Sequence, residues 1–140
     1  MTIIPPSVLQ AQIGSMLTGL GLPLDTQHTL AAERTLGLQL EGLPDLMLSL
    51  IDGELWLWSR LQDLSANRLM DYAPAVLTQL ITPVDGIQGG QLTLGEGEEG
   101  YELKGQVNPS WLEQEDGLLI TAQGFIHLLT SFCHATRTGN

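Results

Sequence analysis

Asp45 to Leu61 reads DLMLSLIDGELWLWSRL, two apolar runs on either side of Asp52-Gly53. Asp-Gly is the dipeptide that best accommodates the positive φ angles of a type I′ turn, so the stretch is a tight hairpin. With that turn Ile51 faces Glu54, and the register behind it follows. Leu50 opposes Leu55, Leu48 opposes Leu57, and Leu46 shares their face. The other face pairs Ser49 with Trp56, Met47 with Trp58 and Asp45 with Arg60, the last a cross-strand charge match. One face is wholly aliphatic and suits a core. The second carries Met47, Ile51, Trp56 and Trp58 among polar residues, more apolar area than a solvated face usually holds. Something covers it.

Upstream, Pro5-Pro6-Ser7 starts a helix, with Ser7 and Gln10 as a capping box. Leu9, Ile13, Met16, Leu17 and Leu20 recur at helical spacing, and Gly19, Gly21 and Pro23 end it. Leu24 to Arg34 is mixed and reads as loop. Leu36, Leu38 and Leu40 alternate with polar or small residues, making Thr35 to Leu40 a strand that Gly42-Leu43-Pro44 turns into the hairpin. Downstream, a second helix lies between Ser65 and Ile81, its stripe formed by Leu69, Ala73, Val76, Leu77 and Leu80. Pro74 sits inside that pattern, so the helix either begins near Asp71 or kinks at the proline. A second hairpin places Leu92 and Leu94 in one strand and Tyr101, Leu103 and Val107 in the other, around a Glu-rich turn from Gly95 to Gly100. Ser110 and Glu113 cap a short turn. From Leu118 onward, Ala122, Phe125, Leu129 and Phe132 define a long amphipathic helix that frays near Thr136. The fold class is α+β: a five-stranded antiparallel twisted sheet with three helices, in the order α-βββ-α-ββ-α. The first and third helices are expected on the leucine face. The second covers part of the tryptophan face or meets another subunit.

At 140 residues the chain is one domain, residues 1–140. Sixteen acidic against five basic side chains, a net charge of -11, argue against nucleic acid and anionic membrane as partners. Only 15% of residues are charged while 43% are hydrophobic, which points to an interface. The single Cys133 excludes an internal disulfide and suits a reducing compartment. Neither a basic leader nor 18 uninterrupted apolar residues is found, so no signal peptide or membrane insertion is expected.

Chemistry is nearly absent from the pattern, and no enzyme, metal or cofactor is expected. His28, His127 and His134 stand in no triad or metal spacing. Cys133 falls on an apolar stripe and reads as a core thiol. Glu96, Glu98, Glu99 and Glu102 lack the spacing of a calcium loop, and Gly86 to Gly90 lacks the Lys-Ser/Thr of a phosphate loop. Trp56 and Trp58 read best as a protein–protein surface, where Trp and Met are favoured.

Three segments carry a family resemblance: ELWLWSRL (Glu54 to Leu61), GGQLTLGEGEEGYELKG (Gly89 to Gly105), and Val-Asn-Pro-Ser-Trp-Leu (Val107 to Leu112) ahead of a Phe-containing C-terminal helix. In this order, from about Leu36 to Phe132, the chain resembles the InvB/SpaK group, class IB chaperones of bacterial type III secretion. The resemblance implies a cytoplasmic homodimer without catalytic activity or cofactor. It implies binding of the N-terminal non-globular segments of secreted effectors and delivery to the export ATPase. A dimer contact is expected from Trp56, Trp58, Leu69, Ala73, Val76, Leu77 and Leu80. An effector groove is expected from Ile13, Met16, Leu17 and Leu20 with Leu38, Met47 and Ile51. Core packing is an equal reading for Ile13 and Leu17, and each tryptophan could serve either surface. The alternative is a small dimeric scaffold or ligand-binding domain without a secreted client.

Overall fold

The computed structural model describes residues 4–22 and 35–138. The expected loop from Leu24 to Arg34, the helix stop at Pro23 and His28 lie outside the described residues. Asp52 and Gly53 take φ of 52° and 80°, the left-handed pair that a type I′ turn needs. The hairpin of β2 (Leu46–Ile51) and β3 (Glu54–Leu61) therefore closes in the expected register, Ile51 on Glu54 through Met47 on Trp58. β1 (Thr35–Leu38) adds to β2 with Leu36 on Leu48 and Leu38 on Leu46, two residues shorter than the sequence suggests. β5 (Gly100–Gln106) pairs with β3, and β4 (Thr93–Gly97) forms the far edge, giving an antiparallel order β1-β2-β3-β5-β4. The expected six-residue turn shrinks to Glu98-Glu99, because Gly95, Glu96 and Gly97 continue the ladder opposite Glu102, Tyr101 and Gly100.

α1 (Pro6–Gly19) opens differently from the expected capping box. Its N-cap is Pro5, without a side-chain cap, and Pro6 fits the first turn, where its missing N–H costs nothing. Gly21 closes it at φ 72°, with the Leu22 N–H donating to the Leu17 carbonyl at 2.9 Å, a Schellman ending. The single middle helix becomes two, α2 (Ala66–Asp71) and α3 (Ala73–Leu80), broken at Tyr72. Pro74 sits in the first turn of α3, the one helical place that tolerates it. With α4 (Gly117–Thr136) the chain thus has four α-helices rather than three, plus a 3-10 turn at Pro109–Glu113 capped by Asn108.

One core joins all layers. Leu46, Leu48, Leu57 and Leu103 of the sheet are sealed by Phe125, Leu129 and Phe132 of α4 and by Ile13 and Met16 of α1. α4 is long and apolar enough to cross a bilayer by length and composition, but its apolar side is spent on this core. α3 packs on α4, with Val76 inside the same core. The middle helices therefore do not lie over the tryptophan face. Among the described residues that face has no helix on it.

Candidate functional site

The open face of the sheet is built by parity. Met47, Ser49 and Ile51 of β2 and Trp56, Trp58 and Arg60 of β3 point away from the leucine core, beside Gln106, Lys104 and Glu102 of β5. Trp56, Trp58 and Met47 are half-buried, and Ile51 is 51% exposed. The Trp58 indole N–H donates to Ser49 Oγ at 2.9 Å, and Ser49 Oγ is 2.7 Å from Thr35 Oγ1. The ring's polar end is thus satisfied within the sheet, leaving its apolar face outward. The Arg60 guanidinium lies 5.7 Å from the Trp58 ring centroid, within cation–π range. Arg60 Nη1 also meets Glu99 Oε2 at 2.8 Å. The expected Asp45–Arg60 match is not formed. Asp45 falls outside β2, so Arg60 reaches instead to the acidic turn that shortening of the loop carries toward it.

A second bare surface follows the middle helices. Met70, Leu77 and Ile81 are 72%, 61% and 65% exposed; Leu77 and Ile81, four apart at the end of α3, share one side, and Met70 stands on α2 beyond the break at Tyr72. Of the residues expected at the dimer contact, Leu77 is exposed here, while Ala73, Leu69 and Leu80 are half-buried and Val76 faces inward. Met70 and Ile81 were legible as helical positions but sit off the stripe defined by Leu69, Val76 and Leu80. An apolar residue opposite a core stripe was the signal for them.

The expected effector groove divides. Ile13, Met16 and Leu17 are buried in the chain's own core, as is Leu38, which shares the leucine face with Leu46 and Leu48. Leu20 is partly buried against that core. Met47 and Ile51 stand on the opposite face of the sheet, so the seven residues do not form one surface. What α1 leaves outward is a shallow groove of small side chains, Ala11, Ser15 and Thr18 with Gly14 and Gly19, beside Leu119 and Asp116.

Among the described residues no cluster of metal-ligating side chains occurs, and His127 and His134 are exposed. Cys133 is buried, and desolvation raises its thiol pKa, with a smaller contribution from the Asp63 carboxylate opposed by a hydrogen bond with Thr138.

The likeness to known proteins agrees with this geometry. The fold matches a chain of the heterodimeric ExoU–SpcU complex from the type III secretion system of Pseudomonas aeruginosa, with a TM-score of 0.56, 16% identity, and coverage of 89% of this chain and 95% of that one. In class, the open five-stranded sheet backed by helices in this order is the fold of that chain. Residues 23–98 match the invasion protein B family. Over 98 residues the chain is 31% identical to the surface presentation of antigens protein SpaK of Salmonella typhimurium, covering 70% of this chain and 73% of the relative. The Salmonella typhi protein of that name matches equally. The chain belongs to the invasion protein B family.

Proposed function

We propose that this chain works as a homodimeric secretion chaperone. It binds the N-terminal non-globular segments of one or more secreted effectors, keeps them competent for export and hands them to the export ATPase. The observation that carries this reading is the pair of apolar surfaces left bare on a chain whose own core is already complete. The tryptophan face offers flat, preformed area around Met47, Ile51, Trp56 and Trp58, suited to apolar side chains of an extended client. Among the described residues β1 and β4 are the edges of the sheet, whose outer backbone groups are able to accept a further strand. Met70, Leu77 and Ile81 supply the surface for a second copy. A flat surface rather than a sculpted pocket favours several clients over one.

Size exclusion coupled to light scattering tests both parts, on the chain alone and co-expressed with the N-terminal segment of a secreted effector encoded in the same locus. A mass near twice 15.2 kDa that gains one client segment per dimer is the expected result. A monomer that captures nothing would overturn the reading. Trp56→Asp places a charge on the apolar face and is expected to abolish capture while leaving the fold intact. A Trp56→Asp chain that stays dimeric and binds fully would remove Trp56 from both surfaces.

A further inference from the structure

α2 (Ala66–Asp71) is six residues long and buries none of them fully, although Leu69 packs partly against the core. A helix shorter than about 12 residues does not hold in water without outside contacts. Nor is it aimed by a continuous helix, because Tyr72 takes φ of -108° and ψ of 19° and α3 starts afresh after it. Besides Leu69, what ties α2 to the body is Arg68. Its Nη1 donates to the Arg137 carbonyl at 2.8 Å and to the Thr136 carbonyl at 3.3 Å. Among the described residues Arg68 has no carboxylate partner, so these carbonyls are what its charge meets.

The end of α4 has carbonyls left over for this donor. The Thr138 N–H donates to the Cys133 carbonyl at 2.9 Å and the Arg137 N–H to the His134 carbonyl at 3.3 Å, closing the helix around left-handed Arg137. The Thr136 and Arg137 carbonyls remain for a donor from outside, at the negative end of the dipole, where a cation is favoured. On α2, Arg68 and Met70 are two residues apart, about 200° around the axis, so a clasp on α4 by the one turns the other outward. Met70 is 72% exposed, across the break from Leu77 and Ile81.

We infer that Arg68 is a positioning residue of the subunit contact: its clasp on the C-terminal end of α4 holds α2 so that Met70 joins Leu77 and Ile81 in meeting a second copy. The inference rests on the homodimer reading above and deepens it. Arg68 acts through the orientation of α2 and not by contact with the partner. The end of α4 thereby enters the dimer equilibrium.

The test uses the full chain, with dimer dissociation constants from sedimentation and amide exchange read over α2 and over β2 and β3. Exchange is followed well above the dissociation constant, so that every chain is paired. Arg68→Met keeps the stem and removes the donors, whereas Arg68→Lys keeps a charged donor. Arg68→Met is expected to raise the dissociation constant about tenfold and to speed exchange in α2 about tenfold, with β2 and β3 unchanged. Arg68→Lys should recover most of both. Met70→Ala should weaken the wild-type dimer yet add little on Arg68→Met, because a displaced Met70 no longer meets the partner. Additive losses, or an Arg68→Met dimer as tight as the wild type, overturn the inference and leave the homodimer reading standing. So does faster exchange spread through β2 and β3, which would make Arg68 a general support of the fold. A wild-type chain that stays monomeric at all concentrations overturns both.

Discussion

At single residues, the structure separates positions that look alike in sequence. Gly86 and Gly89 both hold left-handed φ, 85° and 81°. Any side chain is strained there, by about 1 kcal/mol. At Gly89 a Cβ would enter open space, whereas at Gly86 it would collide with the hydroxyl of buried Thr121 on α4. The Gly86 carbonyl also accepts the Asn108 N–H at 2.7 Å, which holds the loop in place. Gly89→Ala is therefore expected to cost about 1 kcal/mol in urea unfolding, and Gly86→Ala about 3 kcal/mol or more. Equal losses would show that the Thr121 contact yields freely. Cys133 provides a second residue-scale expectation. Burial raises its folded pKa above the unfolded value. Between the two values the unfolded state has lost the proton that the folded state keeps, so stability falls as pH rises. The contribution is fully present at neutral pH and declines above about pH 8.5, where a free thiol ionises. Urea midpoints from pH 7 to 10 should fall more steeply for the wild type than for Cys133→Ala, and parallel curves would contradict the assignment.

Among elements, the connections that hold the helices are made by side chains with no sequence neighbour to announce them. The Gln12 amide on α1 donates to the Leu112 and Gln114 carbonyls at 3.1 and 2.8 Å, and its oxygen accepts the Leu118 N–H at 3.0 Å. It serves as the missing cap of α4, whose own N-cap residue Asp116 is left-handed and makes no side-chain cap. At the other end, Arg68 on α2 donates to the Thr136 and Arg137 carbonyls, closing the negative end of the α4 dipole. Gln12→Ala is expected to destabilise by about 1–3 kcal/mol, because it leaves a helix N–H and two carbonyls without partners. Hydrogen exchange at the first turn of α4 should rise with it, and unchanged protection there would show that water replaces the amide without loss. The hairpin register was legible because period-two alternation and an Asp-Gly turn over-determine it. The helix break was only half legible. Pro74 forbids a helix interior at its position, yet the pattern admits either a late start or a kink, and the structure stops α2 and restarts α3 around Tyr72. Periodicity also marked Ile13, Met16 and Leu17 as an apolar stripe, but a stripe is the same whether it meets the chain's own α4 or a partner. The layer on which α3 packs is set by its contact with α4, far along the chain at Gly117–Thr136, and no local pattern encodes it.

For the whole molecule, the deciding quantity is how much apolar surface remains once the core is closed. Among the described residues the leucine face, α1, α3 and α4 form one core, and the proposed second copy and client are what would cover the apolar surface left outside it. On α2, α3 and the turn after it, Met70, Leu77 and Ile81 are exposed by more than 60% each. Burial of one such side chain stabilises by about 1.5–3 kcal/mol. In a two-fold dimer each position occurs twice, so a single substitution is felt twice. Leu77→Asp should therefore raise the dimer dissociation constant by a hundredfold or more and yield a monomer at micromolar concentration in light scattering. Its far-ultraviolet circular dichroism should be unchanged, since Leu77 contributes little to the chain's own core. Charge acts in the same equilibrium with the opposite sign. Two copies each at net -11 repel, and salt shortens the reach of that repulsion to about 10 Å at 0.1 M. The proposed dimer should accordingly tighten as salt is raised. A Leu77→Asp chain that stays dimeric would move the subunit contact to the tryptophan face. The client would then have to bind where Met70 and Ile81 now stand bare.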